Sequence, residues 1–237
     1  MMMKRALMTV AVVGALAATG APANAADDVR IATLPGTGWQ VTSTAPVGMA
    51  WTSVGFDASS WSEPTVLTGL EALLGGTPTI APLVVGAPAA RPMWSNGAAV
   101  DGTGGPDHIY MRNEFSLAGF SIGQALNTLA KIQVDDDFVF YVNGHEILAN
   151  KDNGFAGIIY ETSFGSYLHA GETNVFAIEA VDGGWSNPGD RSYQDVIFDA
   201  LISSGPITST VPEPASTVLV IAGLSSLVAL RRRLGER

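Results

Sequence analysis

Residues 129–148, LAKIQVDDDFVFYVNGHEIL, decide the architecture. Ile132 and Val134 alternate with polar neighbours, and Phe138, Phe140 and Val142 repeat that spacing. A period of two marks strands with one buried face. Asn143-Gly144 then supplies the pair that a tight type I′ hairpin demands, because both central positions need positive φ. Outward from this hairpin the chain repeats the same grammar of short apolar or β-branched runs between Gly, Pro, Asp and Ser. VRIAT from Val29, WQVTST from Trp39, TIAPLVV from Thr79, HIYMRNEFSL from His108, NVFAIEAV from Asn174 and DVIFDALI from Asp195 all fit strands. Two stretches have helical spacing instead, Leu67 to Leu74 and Gln124 to Lys131. Many short strands with turn signals between them predict an all-β, antiparallel sandwich or barrel.

Charge is distributed unevenly. Lys4, Arg5, Arg231, Arg232, Arg233 and Arg237 are half of the 12 basic residues and lie at the extreme ends. Between Ala26 and Val211 stand 6 basic against 20 acidic side chains, a net charge of −14. Such a surface repels phosphate backbones and anionic headgroups, which excludes nucleic acid as a partner. There is no cysteine, so an exported domain must be held by its core or by a metal. About 180 residues bury roughly 70% of their unfolded surface, enough for a self-sufficient core.

The segments Trp51 to Trp61 (WTSVGFDASSW), Tyr110 to Phe115 (YMRNEF), Asp135 to Gly144 and Phe164 to Ile178, with Gly171 and Asn174, resemble the galactose-binding-like β-sandwich. The resemblance covers about Trp39 to Ser203 and implies a jelly roll of the kind that often accompanies glycosidases. Trp51, Phe56 and Trp61 are assigned to packing.

Both ends carry address signals. Lys4 and Arg5, the apolar run Ala6 to Ala18, and Ala23-Asn24-Ala25 have the order of an export signal, with Ala23 and Ala25 flanking a small-residue cleavage site. Val211-Pro212-Glu213-Pro214 is followed by an uncharged stretch, Ala215 to Leu230, and by Arg231-Arg232-Arg233. This order is similar to the PEP-CTERM sorting signal of Gram-negative bacteria that make exopolysaccharide. Sixteen residues span about 24 Å as a helix, short for a permanent anchor, and the arginines hold the tail on the cytoplasmic side. The resemblance implies an exosortase as processing partner, and delivery to the cell surface or matrix with membrane attachment only through the tail. The expected organisation is a signal helix over 1–25, a sandwich over 26–203, a linker over 204–211, and a sorting segment with a transmembrane helix over 212–237.

Chemistry is harder to locate. Two loops, Met93 to His108 and Asp182 to Tyr193, are too rich in Gly, Pro, Asn and Asp for regular structure, and each contains Trp-Ser-Asn. Long loops on a compact domain often carry function. A tryptophan face stacks on the apolar face of a sugar while amides and charges serve its hydroxyls. Trp185, Asn187, Asp190 and Arg191 form one such candidate set, joined by Trp94, Asn96 and Asp107 where the loops share an end. The alternative is that each tryptophan plugs the core. Asp135-Asp136-Asp137 gives two readings, a calcium site using Asp135 and Asp137 or a solvated turn between strands. Gly119-Phe-Ser121-Ile-Gly123 matches the G-x-S-x-G elbow of serine hydrolases, but that elbow needs a strand-to-helix turn on a parallel sheet. His145-Glu146 lacks the second histidine of a zinc helix. The chain is therefore expected to be a non-enzymatic binder of exopolysaccharide, with an acidic matrix protein as the alternative and a Ser121 hydrolase behind both.

Intact-mass and N-terminal sequencing of the protein recovered from the producing cells should find a chain that starts at Ala26 and lacks the arginine-ended tail. Recovery with Arg231 to Arg233 still attached would refute the sorting assignment.

Overall fold

The structure, a computed structural model, describes residues 28–68, 79–96, 98, 105–151, 158–183 and 194–207. Both address signals, the 204–211 linker beyond Ile207, and most of the expected helix over Leu67 to Leu74 lie outside them. Among the described residues no helix is long and apolar enough to cross a membrane.

Among the described residues eleven strands form two antiparallel sheets. The strands are β1 (Val29–Ala32), β2 (Trp39–Thr42), β3 (Thr65–Val66), β4 (Met93–Trp94), β5 (His108–Ser116), β6 (Asn127–Asp135), β7 (Asp137–Val142), β8 (His145–Asn150), β9 (Tyr160–Thr162), β10 (Thr173–Val181) and β11 (Asp195–Ser203). One sheet runs β3-β4-β11-β6-β9, with β1 also paired to β11, and the other runs β2-β5-β10-β7-β8. The all-β sandwich expected from the period-two runs is the fold of the chain.

Alternation explains why the sheets face each other. On β11 Val196, Phe198, Ala200 and Ile202 enter the common core, as do Ala130, Ile132 and Val134 of β6. Phe138, Phe140 and Val142 of β7 and Phe176, Ile178 and Ala180 of β10 meet them from the other sheet. Phe140, Phe176 and Phe198 form a mutual triad with ring centroids 5.1–5.5 Å apart. Tilted and edge-on packing at these separations adds to plain area burial.

The outer faces are covered too. Trp51 packs edge-on against Tyr110 and Tyr141 on the back of the five-stranded sheet, with Phe56 and Trp61 beside it. Arg112 fastens this cover, its guanidinium donating to the carbonyls of Trp51, Ser53 and Phe56. Ala32, Ile80, Ala90 and Ile197 make a smaller cluster behind the six-stranded sheet.

The Asn143-Gly144 hairpin forms as expected, with φ of 49° and 86° and Val142 facing His145. Asn143 also donates to the Asn174 carboxamide oxygen at 2.8 Å and accepts from the Val175 N–H at 2.8 Å. Asn174 in turn accepts from His169 N–H and donates to the His169 carbonyl. The two turns are thus locked to each other.

Three expectations are corrected. Gln124 to Lys131 is not a helix: from Asn127 it is β6, paired residue for residue with β11 from Asn127↔Ser203 to Asp135↔Asp195. A nine-residue ladder outweighs weak local helical spacing. TIAPLVV is not a strand, since Pro82 and turns leave only an isolated Ile80↔Ala90 bridge. The three aspartates are not a solvated turn: Asp135 and Asp137 are buried, and the chain passes from one sheet to the other between them.

Phe198→Ala is expected to cost about 3–5 kcal/mol, because it removes the ring through which the six-stranded sheet meets Phe140 and Phe176. Urea unfolding of the variant measures it, and a loss below about 1 kcal/mol would contradict the assignment of this triad to the centre of the core.

Candidate functional site

His108 opens β5 and Val181 closes β10, and the two are cross-strand partners. The loops attached to them therefore begin side by side. Asp182 N–H donates to the Asp107 carbonyl at 2.7 Å. Gln194, at the far end of the second loop, turns its amide into the first: Nε2 donates to Asp182 Oδ2 at 2.7 Å and to the carbonyls of Gly105 and Pro106 at 3.4 and 3.5 Å. Trp94 reaches the same point, its Nε1 donating to the Pro106 carbonyl at 2.9 Å. A Cβ at position 105 would collide with the Gln194 carboxamide and the Trp94 ring, so only glycine lets these chains approach.

Of the seven loop residues singled out from the sequence, three fall within the described structure. Asn96 is exposed and Asp107 half-buried at this end of the sandwich. Trp94 is fully buried, so its face is closed to a ligand and it plugs the core. Trp185, Asn187, Asp190 and Arg191 lie outside the described residues. Trp61 is half-buried against Trp51 and Phe56. It also borders a hollow of about 380 Å³ shared with Gly36, Gly38, Gln40 and Glu63.

The Asp135/Asp137 calcium pairing is corrected as well. By alternation Asp135 leaves the outer face of the six-stranded sheet with Gln133, while Asp137 leaves the outer face of the other sheet with Val139. The carboxylate opposite Asp135 is Asp195. Ser121 sits in the exposed turn between β5 and β6, its N–H held by the Gln124 side chain at 2.9 Å. No parallel sheet or helix supports it among the described residues. His145 is exposed at the hairpin, with its ring against Tyr167.

Electrostatically this end of the sandwich is unusual. Burial first, then Asp136, Asp195 and Asp182, push the Asp135 carboxyl far above the ordinary carboxylate range. Burial alone raises Asp195 to about 7. Asp182 is raised to about 6, mainly by burial, against the opposing bond from Gln194. Around the corner, on the back of the five-stranded sheet, His108 Nε2 lies 2.8 Å from Glu179 Oε1. The His108 ring stacks on Tyr110 at 4.8 Å. Tyr141 is pushed up to about 12 by burial and then by the charge of Glu179, so its hydroxyl stays neutral. Asn96 is exposed and Asp107 half-buried at the loop end, while the half-buried His108–Glu179 pair lies on the back of the five-stranded sheet and the buried acids belong to the six-stranded one.

Sequence reasoning passed over Asp182, Gln194, Asp195, His108 and Glu179. A signal existed for some of them, since Glu179 and Asp195 are charges placed within or beside otherwise apolar strands. Nothing in the linear order joins Asp195 to Asp135.

No protein-family model matches the chain, and no curated protein matches it. Among solved structures it is similar to a glycosyl hydrolase family 2 member from Bacteroides cellulosilyticus at 12% identity, covering 73% of this chain and 20% of that one, with a TM-score of 0.44. It is similar to a β-glucuronidase of Bacteroides uniformis at 13% identity, covering 73% and 18%, with a TM-score of 0.43. It is also similar to a putative β-galactosidase from Bacteroides fragilis at 14% identity, covering 73% and 23%, with a TM-score of 0.39. The chain thus spans less than a quarter of the length of each of these enzymes.

In chelator-containing buffer the unfolding free energy should fall as pH rises from about 4 to about 7. The folded carboxyls sit above the 3.8 of an ordinary aspartate, so between those values the folded state holds protons that the unfolded chain has released. Their stabilising contribution is complete at the acid end. It is lost as pH climbs through about 6 for Asp182 and about 7 for Asp195. Asp195→Asn should flatten the slope, and stability that rises with pH over this range would be the contrary result.

Proposed function

We propose that this protein is an exported, non-enzymatic cell-surface or matrix component that binds polysaccharide at the loop-bearing end of its sandwich. The observation that carries the reading is the convergence of the 93–107 and 182–194 loops, held by the Gln194 side chain and the Asp182–Asp107 backbone bond. Rigid strands thereby present amides and carboxylates at one end of the sandwich, the chemistry that serves sugar hydroxyls. Trp185, Asn187, Asp190 and Arg191 belong to the same second loop in sequence. Export and release by an exosortase are supported by the order of the terminal motifs.

One specific observation favours the alternative of an acidic matrix protein without a defined ligand, namely the net charge of −14 between Ala26 and Val211. Catalysis by Ser121 has no such support, because the elbow that would activate it needs a strand-to-helix turn.

A glycan array probed with the full chain separates the readings. Specific hits lost on Trp185→Ala and kept on Trp61→Ala support the loop end, and the reverse pattern moves binding to the hollow beside Trp61. Absence of any hit refutes polysaccharide binding and leaves the acidic matrix protein. A serine-directed covalent probe should leave Ser121 unlabelled.

A further inference from the structure

Five basic side chains stand among the described residues: Arg30, Arg91, Arg112, Lys131 and Lys151. In a segment with 20 acidic side chains, each cation has many carboxylates to choose from. Arg30 holds Asp199 at 2.7 Å, Arg112 holds Glu114 at 3.0 Å and Lys131 holds Glu161 at 3.2 Å. Lys151 is partnered too. Arg91 is the exception. Among the described residues its guanidinium makes no ion pair, and its Nε is buried without a hydrogen-bond partner. It is the only nitrogen among the buried side-chain atoms left in that state, the others all being oxygens. Burying part of a charged donor unpaired is costly, so a role other than packing is called for.

Arg91 lines a hollow of about 470 Å³ whose other walls are Leu34, Pro35, Val66, Pro88, Ala89 and two threonines. The hollow is larger than the one beside Trp61, and no acidic side chain borders it. Its walls are tied to the sheet by backbone bonds. Arg91 N–H donates to the Thr33 carbonyl at 2.8 Å, and Thr33 N–H donates to the Phe198 carbonyl at 2.9 Å on β11. Leu67 N–H donates to the Pro92 carbonyl at 2.9 Å, which fixes the chain beside Val66. Leu34 packs against the cluster of Ala32, Ile80, Ala90 and Ile197. The cavity is thus built into the structure next to the thin cover of the six-stranded sheet.

Its volume lies within the range of small-molecule sites, about 300–1,000 Å³, which are mostly apolar with a few polar groups that set orientation. The polar group here is a guanidinium, whose parallel N–H donors match a carboxylate. Aliphatic neighbours screen that pair less than water does. No aromatic ring is among the walls, so a sugar lacks a face to stack on, whereas leucine, valine and proline suit an aliphatic body. The net charge of −14 between Ala26 and Val211 disfavours a ligand with more than one negative charge.

We propose that this hollow binds a monocarboxylate with an aliphatic body, its head on the Arg91 guanidinium and its tail against Leu34, Val66 and Pro88. The site is separate from the loop end and does not rest on the polysaccharide reading.

The purified full chain is titrated calorimetrically with sodium octanoate and, in parallel, with octanol as its uncharged counterpart. Methyl NMR signals of Leu34 and Val66 report where the ligand sits. Octanoate is expected to bind and to shift both sets of signals, with octanol weaker by about tenfold or more. Arg91→Gln should lose octanoate affinity by a similar factor. Its melting temperature should stay within about 2 °C of the wild type, because the replaced group has no partner to lose. If that variant fails to fold, Arg91→Lys keeps the charge without the fork and should weaken octanoate several-fold. No binding at about 5 mM octanoate, equal affinity for octanol, or affinity unchanged in Arg91→Gln or Arg91→Lys would overturn the site. Tighter binding of glucuronate than of octanoate, or methyl shifts that spare Leu34 and Val66, would do the same.

Discussion

The contact among Phe140, Phe176 and Phe198 is the constraint on which the other parts of the molecule depend. It sets the register of both sheets, because a one-residue slip of β11 would turn Phe198 outward and bring Asp199 or Ile197 into the core. It also fixes which side chains face away. Once Phe198 points inward, Asp195 and Asp199 must share the outer face. One meets Arg30 and the other meets Asp135.

The outer faces then set different demands. Behind the five-stranded sheet the cover is aromatic and is pinned by an arginine that satisfies carbonyl groups. Behind the six-stranded sheet it is thinner, a few aliphatic side chains over a strand carrying two buried aspartates. Such aspartates do nothing for packing. A leucine at position 195 would bury more apolar area at no electrostatic cost, so packing alone does not account for the carboxylate.

How much of this was legible in the linear chain depended on range. The hairpin at Asn143-Gly144 was readable because its demands are local: two positive φ values and alternating apolar neighbours. The inward face of β7 was readable for the same reason. By contrast β5, β10 and β11 were readable as strands, but their nearly continuous apolar runs do not say which face points inward. β6 was half misread, since Gln124 to Lys131 carries weak helical spacing and only its ladder with β11 reveals the strand. β3, β4 and β9 are two or three residues long, below the length at which periodicity exists. The sequence left open both whether the two loops share one sandwich end and whether Trp94 faces a ligand or plugs the core. A tryptophan beside Ser-Asn looks the same whether it faces a sugar or the core, and only its burial decides.

The acidic end shows most clearly why cross-strand partners were hidden. Asp135-Asp136-Asp137 draws attention as a run, which invites pairing the neighbours in sequence. The sheet change between Asp135 and Asp137 sends their side chains to opposite sides of the sandwich. Asp195 stands 60 residues away in number and directly across in space. Charge clusters built across strands carry no linear signature, whereas those built along a loop do. The informative quantity is therefore the contrast between chemically identical residues on one face, not the count of acids. Asp199 and Asp195 are both wholly buried, four residues apart on the same strand, and the protein supplies a cation to only one of them.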